Sequence, residues 1–515
     1  MVAALTAATA RAALRLPRLS ETAWMAILLG VAALALRLPQ LGNPIVHIDD
    51  QFYLMTGRAL LEGELPYVDI WDRKPLGLFL IYAAIGLLGG AGIVQYQLVA
   101  TLFAAGTALV VARIARRYAN ARGAVLAGIC YLASLGMIGG AGGQSPVFYN
   151  LFMAGAALLT LGALDAPAGR RFVPSAFGAM LLAGLAVFVK QTAVVEGCFF
   201  GLVLLSILWI RTRSAGRVAA FALAFAACGI GPTLAAFLAY SALGHADAFW
   251  FANIVSIFLK GPVGSWTLLS GFLLLVISLF PLGVCAAAGL RSIDWRRDGR
   301  VRDEALFLGG WLAAAVGGFL IIPNFFDHYA LPLLVPACVA AAPLFARERN
   351  GRVFAAFAIL WGAVFSGFPG FAPARAAQAD TGRAAAIVSA HLGGGCLYVH
   401  EGPIHLYRAT GACRLTRYPF PDHLNSAPEA GATGIDAVAE VRRILAARPR
   451  VIVTARRVTL AENAATRAIL DAELEGGYRR VGVVTIDLRG IPQELHIWAL
   501  GPTAARTPPP LRRNL

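Results

Sequence analysis

The stretch HIDDQFYLMTGRALLEGELPYVDIWDRKPLG, residues 47–77, decides how this sequence is organised, because it gathers charged and aromatic side chains between two long apolar regions. The pair Asp49 and Asp50 stands near its start and opens a segment of helical composition. The run DRK at 72–74 stands near its end and precedes a proline. Acidic and basic side chains are thus placed at opposite ends of one loop.

Composition places the chain in the class of polytopic membrane proteins. Of its 515 residues 58% are hydrophobic and only 14% are charged, and the mean hydropathy is +0.68. A soluble core could not hide this much apolar surface. The net charge of +16 could indicate nucleic-acid binding, but the arginines fall in short clusters between apolar runs, as in cytoplasmic loops of membrane proteins. The net positive charge is therefore explained by arginines in cytoplasmic loops, and no nucleic-acid partner is predicted.

Eleven apolar runs bounded by charge approach the ~20 residues that a membrane-spanning helix needs. They are residues 22–38, 93–111, 123–140, 147–164, 174–189, 193–210, 218–240, 266–290, 305–322, 331–346 and 353–369. The shorter run Leu76–Gly90 is interpreted as an interfacial helix, because only then do all arginine clusters fall on one side. This predicts a cytoplasmic N-terminus without a cleavable signal peptide, and an extracytoplasmic loop at 41–92.

The charges of that loop predict a functional role. Ionisable side chains that a membrane protein keeps beside its apolar segments usually line a substrate path, because burying them unpaired costs several kcal/mol each. We therefore interpret residues 41–92 as an active-site loop. The alternative is a solvated loop whose charges are incidental.

After Pro369 the composition becomes that of a soluble domain. Short β-branched runs begin at residues 396, 413, 450, 481 and 494, and helical stretches lie near 381–391, 434–447 and 460–474. The sequence therefore predicts a mainly α protein. It combines a polytopic transmembrane helix bundle at 1–370, a C-terminal extracytoplasmic α/β domain at 371–500 and a disordered tail at 501–515.

Of the seven cysteines, Cys396 and Cys413 are the two outside the apolar runs. Each opens a predicted strand, and the intervening chain is long enough for a helical crossover that would set the two strands side by side. In an oxidising compartment this predicts a disulfide. The alternative is two unpaired buried thiols.

Four motifs together resemble a known family. They are DDQFYLMTGRALLEG (49–63), PYVDIWDRKPLGLFLIY (66–82), GLAVFVKQTA (184–193) and FFDHYALPLLVP (325–336). In order, spacing and predicted side of the membrane they resemble the GT-C superfamily of polytopic glycosyltransferases. The similarity is to the branch related to the protein O-mannosyltransferases and the lipid A aminoarabinose transferases, and it covers roughly residues 22–370.

The resemblance implies a GT-C type bundle in the inner membrane of a bacterium, with a polyprenyl-phosphate sugar as donor. It further implies an acceptor hydroxyl on a lipid, glycan or protein, and inversion at the anomeric carbon. Such a transfer needs a carboxylate that takes the acceptor's proton and a cation that holds the departing phosphate.

Candidate catalytic residues follow from the same resemblance. Asp49 matches the family's general base, and Asp50 replaces a longer acid, so the roles of the two stay open. Helix capping is the alternative for Asp49. Lys74 matches the basic residue that faces the donor phosphate, Arg73 is a second candidate, and anchoring at the membrane surface is the alternative for both.

Further substrate contacts are predicted beyond the first loop. Lys190 stands at the outer end of its span, where the positive-inside bias leaves few cations, and a phosphate explains its presence better than topology does. Gln191 follows it. His328 and Tyr329 lie in a short loop between two spans, where imidazole and phenol could bind sugar hydroxyls or phosphate. The remaining candidates are Tyr53, Asp72, Gln144, Tyr149 and Asn150.

No metal-binding spacing, glycine-rich phosphate loop or nucleophile elbow occurs in the sequence, and no cofactor is predicted. A divalent metal between Asp49 and Asp50 is left open. The alternative function is a transporter or flippase of a lipid-linked saccharide, since many spans around a charged outward cavity serve either purpose. The paired, Gly/Pro-broken spans typical of such transporters are missing.

Overall fold

The structure is a computed structural model that describes residues 20–165, 172–296, 299–321, 324–456, 460–488 and 490–501. The tail that we predicted to be disordered lies outside these ranges, apart from its first residue. Within them, ten helices are long and apolar enough to cross a membrane. The prediction of a mainly α, multi-pass bundle is therefore confirmed.

The membrane part contains fifteen helices, several of them short. They are α1 (Glu21–Arg37), α2 (Ile48–Leu61), α3 (Leu76–Gly86), α4 (Ile93–Ala115), α5 (Ala121–Leu135), α6 (Ser145–Asp165), α7 (Phe172–Val189), α8 (Val194–Thr212), α9 (Ala215–Ala242), α10 (Ala246–Trp250), α11 (Ser256–Phe258), α12 (Ser265–Arg291), α13 (Gly299–Leu320), α14 (Leu334–Phe345) and α15 (Arg349–Phe365).

Burial distinguishes central from peripheral helices. The segment Asp327–Phe345, which ends in α14, lies at the centre of the bundle. Of its most apolar 18 residues, 83% are buried inside the protein. In Ala215–Ala242, which is α9, only 11% is buried. Side chains such as Leu223 and Phe280 are exposed on the outer helices. In a bilayer this apolar outer surface faces lipid.

Ten of the eleven predicted spans are among these long helices, and the eleventh corresponds to a slightly shorter helix. The run at 353–369 corresponds to α15, which has 17 residues, whereas the shortest of the ten spans has 18. The apolar pattern continues to Pro369, but Gly367 adopts a φ of +81° and the helix has ended at Phe365. The interfacial run is also shorter than predicted, because α3 has 11 residues, about 17 Å, and is too short to cross alone.

The C-terminal domain is built around a five-stranded mixed sheet. Its strands are β1 (Cys396–Val399), β2 (Cys413–Arg414), β3 (Val451–Thr454), β4 (Tyr478–Leu488) and β5 (Ile491–Leu500), in the order β2-β1-β3-β5-β4. β1 runs parallel to β2 and β3, and β5 runs antiparallel to β3 and β4. All five predicted strands are present, although β2 is shorter than the six-residue run that predicted it.

Helices cover the sheet and connect its strands. They are α16 (Ala372–Leu392), α17 (His405–Thr410), α18 (Pro421–Asn425), α19 (Ala437–Ala446) and α20 (Ala464–Gly477). The three predicted helical stretches correspond to α16, α19 and α20. Because α17 is the crossover between β1 and β2, Cys396 and Cys413 are partners in the parallel register and form a disulfide, with Cα atoms 4.6 Å apart. The predicted disulfide is confirmed.

The C-terminal domain packs directly on the first loop. Trp71 is 2% exposed and inserts its ring beside Tyr418 and His423, with ring centroids 5.7 and 4.7 Å away. Its backbone N–H donates to the Arg417 carbonyl oxygen at 2.8 Å. The loop and this domain therefore share one packed interface at one end of the bundle.

Candidate active site

Asp49 lies in the first turn of α2. The helix is capped by His47, whose Nδ1 accepts a hydrogen bond from the Asp49 backbone N–H at 3.3 Å. The alternative in which Asp49 itself is the cap is therefore wrong. Its carboxylate Oδ2 accepts hydrogen bonds from Gln144 Nε2 at 3.1 Å and from the Tyr53 hydroxyl at 3.3 Å. The capping residue thus leaves this carboxylate available to side chains from other segments.

Asp50 has a different environment. It is fully buried, and its Oδ2 accepts a hydrogen bond from the Gly143 backbone N–H at 2.8 Å. Arg37 holds the same turn by donating to the carbonyl oxygens of Gly140 and Gly142, each at 2.6 Å. Consecutive helical residues do not face the same neighbours. Asp50 therefore stabilises the turn before α6, and its carboxylate has different partners from that of Asp49.

The first loop is brought against the end of α7 by close backbone packing. A Cβ atom at Gly77 would overlap the carbonyl oxygen of Phe188. Only glycine permits this approach. It places the residues just before α3, Lys74 among them, next to the turn that carries Lys190.

Among the neighbouring charges, Lys74 acts most strongly on the pKa of the Asp49 carboxylate. Its Nζ lies 5.4 Å from the centroid of the Tyr53 ring. Burial acts to lower the pKa of Lys74, but Asp72 and Asp49 outweigh it and raise that pKa. Burial raises the pKa of Asp72 above its usual value despite the opposing effect of Lys74.

The Asp49 carboxyl is held in its ionised form. Burial acts to raise its pKa, but Lys74, His47 and His328 and the hydrogen bond from Gln144 together hold the pKa well below its usual value. A base that is ionised over the whole physiological range can accept a proton without first losing one.

Lys190, His328 and Tyr329 complete the same cluster. The Lys190 Nζ lies 5.0 Å from the Tyr329 ring centroid, between α7 and α8. The His328 ring is edge-on to Tyr329 at 4.8 Å and to His47 at 5.3 Å. Three motifs that are distant in the sequence therefore meet around Asp49.

Several predicted residues have other partners. The Arg73 guanidinium pairs with Glu429 of the C-terminal domain. The Gln191 amide donates to the Arg73 carbonyl oxygen at 3.0 Å, and the Asn150 amide donates to the Leu331 carbonyl oxygen at 3.2 Å, inside the bundle. Gln144 precedes α6 and contacts Asp49, whereas Tyr149 and Asn150 lie within α6. Tyr149 lines a small cavity together with Lys190 and Tyr329.

Two charged residues beside the site, Lys260 and Glu429, were not predicted from the sequence. The Lys260 Nζ lies 2.9 Å from Glu429 Oε1 and 5.2 Å from the Phe326 ring centroid. Lys260 carries the same signal as Lys190, a cation on the predicted outer side, and could have been found. Glu429 is separated from Arg73 by 356 residues, and no local pattern distinguishes it.

The structure also contains a group of possible metal ligands. In the part of the chain that it describes, His47, Asp327 and His328 form one such group, with ligand atoms within 4.8 Å of one another. The His47 Nδ1 accepts the Asp49 amide proton, so a neutral ring carries its own proton on Nε2 and cannot use that nitrogen as a ligand. Capping of α2 therefore competes with metal binding at this group.

Comparisons with known proteins agree with this architecture. The family model described as dolichyl-phosphate-mannose-protein mannosyltransferase matches residues 72–231, less than a third of the chain. ArnT from Cupriavidus metallidurans, in a crystal structure bound to undecaprenyl phosphate, is 15% identical with a TM-score of 0.60. That similarity covers 93% of this chain and 98% of ArnT.

A more distant similarity extends to an archaeal enzyme. The Archaeoglobus fulgidus oligosaccharyltransferase tethered to an acceptor peptide is 12% identical with a TM-score of 0.50, covering 92% of this chain and 74% of that one. No curated protein matches the sequence. The fold and the partial family match together show a multi-pass membrane protein that is similar to glycosyltransferases of the GT-C type. The resemblance predicted from the motifs is confirmed.

Proposed function

We propose that the protein is an inner-membrane glycosyltransferase that transfers a sugar from a polyprenyl-phosphate donor to a hydroxyl group on a lipid, glycan or protein. The observation that carries the proposal is the Asp49 carboxylate beside the Lys74 ammonium, in the loop where the family needs its base and its phosphate-binding cation. Relatives of this fold have been seen with undecaprenyl phosphate and with dolichol phosphate.

Asp49 acts as the general base in this proposal. It removes the proton of the acceptor hydroxyl while the oxygen attacks the anomeric carbon, and the bond from that carbon to the phosphate oxygen breaks on the opposite face. The configuration inverts, and polyprenyl phosphate leaves with the bond's electron pair. Asp50 is less suited to the role, because it is fully buried and bonded to the Gly143 N–H, whereas the Asp49 side chain is 13% exposed.

The two lysines complement the charge of the phosphate. Lys74 and Lys190 are held over tyrosine rings, where an incoming phosphate can reach their ammonium groups. Once the phosphate engages Lys74, less positive charge acts on Asp49, so its pKa rises and it becomes a stronger base in the complex. Donor binding would thus activate the base.

The remaining candidates divide into two groups. Tyr53, His328 and Tyr329 surround the carboxylate and the lysines and would contact the sugar or the phosphate, with Asp72 as a buried acid beside Lys74. Arg73 and Gln191 are engaged by protein groups and would act on the substrate through their neighbours.

We also propose that this end of the bundle faces the periplasm. Helix ends that the charge pattern assigns to the cytoplasm do meet at the opposite end, where Asp165 Oδ1 lies 2.7 Å from Arg117 Nη2 and 2.8 Å from Arg300 Nη2. The donor's polyprenyl chain would then lie along the outer helices, with its phosphate at the membrane surface.

Turnover of radiolabelled polyprenyl-phosphate sugars by the purified protein tests the proposal. We expect labelled acceptor and free polyprenyl phosphate from one donor of a panel, and no product from Asp49→Asn. In sealed vesicles, movement of the intact lipid-linked sugar without cleavage would instead identify a flippase and refute the proposal.

A further inference from the structure

One carboxylate of the C-terminal domain extends into the first loop. Glu429 ends the 3-10 turn Ala427–Glu429 and is 4% exposed. Its Oε1 accepts from Arg73 Nη1 at 3.0 Å and from Lys260 Nζ at 2.9 Å, and its Oε2 pairs with Arg73 Nη2. Three segments that are far apart in the sequence are therefore joined at one group.

This carboxylate is ionised. Burial acts to raise the pKa of Glu429, but Arg73 and Lys260 outweigh it and lower the pKa to about 2. The bidentate pairing with a guanidinium also fixes orientation, because both hydrogen bonds form only when the two planar groups are aligned.

Arg73 is held at its main chain as well. Its carbonyl oxygen accepts from Gln191 Nε2 at 3.0 Å, and the same amide nitrogen lies 3.4 Å from the Asn253 carbonyl oxygen. Beside Lys260, the Gly261 N–H donates to the Pro428 carbonyl oxygen at 2.8 Å. Hydrogen bonds from several segments thus fix the backbone at Arg73, the residue before Lys74.

That next residue is Lys74. Within the residues that the structure describes, no carboxylate oxygen lies within 4.0 Å of its ammonium group, which rests on the Tyr53 ring. The ammonium group therefore has no direct ion pair among those residues, and its position depends on the backbone at Arg73 and at Lys74, whose carbonyl oxygen accepts from the Tyr67 hydroxyl at 2.9 Å.

We propose that Glu429 is a positioning residue of the active site, which holds Arg73 and Lys260 and thereby directs Lys74 toward the donor phosphate. The proposal rests on the proposed function. It also explains the division of the cations: Glu429 engages Arg73 and Lys260, and leaves Lys74 and Lys190 for the phosphate.

Kinetics of Glu429→Gln provide the first test, because the amide keeps the shape of the side chain and removes its charge. A displacement of about 1 Å can reduce a rate by roughly 100-fold, so we expect kcat to fall roughly 10- to 100-fold, with a smaller change in KM for the donor. Glu429→Asp should recover part of the rate, because it restores the charge. Glu440→Gln is the matched control, since Glu440 pairs with Arg443 within the C-terminal domain.

The pH profile separates positioning from a merely structural role. If Lys74 moves away, the pKa of Asp49 rises, since only His47, His328 and the hydrogen bond from Gln144 then oppose the effect of burial. The acid limb of kcat/KM should shift to higher pH in Glu429→Gln. Loss of folded protein would lower the rate without moving this limb.

Acetylation of Lys74, followed by mass spectrometry, gives a readout that needs no activity. We expect faster labelling of Lys74 in Glu429→Gln and unchanged labelling in Glu440→Gln. Wild-type kinetics and labelling in Glu429→Gln would overturn the proposal, as would a rate loss with an unchanged acid limb and unchanged labelling. A wild type that transfers no sugar refutes the proposed function alone, and the labelling then still decides whether Glu429 positions Lys74.

Discussion

Two groups of charged side chains, one at each end of the helix bundle, are held in opposite ways. At one end, Arg117 contacts Asp165 and Glu304, and Arg300 contacts the same two acids. We call these four residues the closed end, because each cation has a carboxylate and each carboxylate has a cation.

At the other end, Lys74 and Lys190 rest on tyrosine rings, with no carboxylate oxygen within 4.0 Å of either ammonium group in the described ranges. We call Asp49, Lys74 and Lys190 the open end. Leaving buried cations without a close partner is unfavourable unless an anion arrives. On the proposed function, the charges stabilise the fold at the closed end and bind the donor phosphate at the open end.

Removing the acid at each end should reveal the largest difference in activity between the two ends. Asp49→Asn cannot take the acceptor's proton, and we expect kcat to fall roughly 10²- to 10⁴-fold at unchanged expression. Asp165→Asn should keep its activity per folded molecule. Initial rates with the polyprenyl-phosphate sugar measure both. If Asp49→Asn retained nearly wild-type rates, the base would have to be sought elsewhere, first at Asp50.

Removing the central cation of the closed end should affect stability instead. Arg117→Ala leaves Asp165 and the nearly buried Glu304 with one cation fewer, and we expect a loss of about 3 kcal/mol in the free energy of unfolding. Activity per folded molecule should not change. Thermal unfolding of Arg117→Ala and of Lys74→Ala in nanodiscs measures the loss of stability that each substitution causes. Equal losses of stability in the two variants would show that the ends do not differ.

At the open end, Lys74→Ala should weaken binding of polyprenyl phosphate roughly 10- to 100-fold, the range expected for one charge-assisted hydrogen bond. Lys74→Arg should retain part of the affinity, because a cation remains. Lys190→Ala should behave like Lys74→Ala. Titration of the purified protein with polyprenyl phosphate gives the dissociation constants. Unaltered affinity in Lys74→Ala would favour the anchoring alternative.

The pH profile of kcat/KM tests whether Lys74 lowers the pKa of Asp49 at the open end. Because the pKa of Asp49 is held below its usual value, the base is ionised at and above that usual value, and activity falls only as the pH drops through the lowered pKa. We expect no acid limb in kcat/KM between pH 5 and 7 for the wild type. In Lys74→Ala the limb should move to higher pH. A limb at the same pH in both proteins would show that Lys74 does not act on Asp49.

Thiol counting tests which compartment the open end faces. In denatured but unreduced protein from membranes, five of the seven cysteines should react with a maleimide, and reduction should add Cys396 and Cys413. Seven reactive thiols before reduction would place the C-terminal domain in a reducing compartment. A reporter fused after Pro373 gives an independent reading of the same side.

The sequence predicted the parts of this protein that depend on local pattern. The long apolar runs are helices in the structure, and the five β-branched runs are its five strands. The motifs around Asp49, Lys190 and His328 were predicted to lie on one side of the membrane, and in the structure they meet. Each of these signals follows from the periodicity, length or charge of neighbouring residues.

Features that depend on distant contacts were not predicted. Glu429 has no distinguishing neighbours in the sequence, and its role follows only from the packing of the C-terminal domain on the first loop. The different partners of Asp49 and Asp50 depend on the turn before α6, not on the pair itself. The last apolar run forms a helix that ends at Phe365, four residues earlier than predicted, because composition alone does not reveal the positive φ of Gly367.

The burial of Trp71 in the C-terminal domain has a consequence for biogenesis. The ribosome makes the first loop more than 300 residues before Tyr418, beside which the Trp71 ring packs. During synthesis the loop therefore lacks its packing partner, and Arg73 lacks Glu429. On the proposed function, the active site is completed only when the last domain has been translated and folded. We therefore expect a bundle that is truncated before this domain to be inactive.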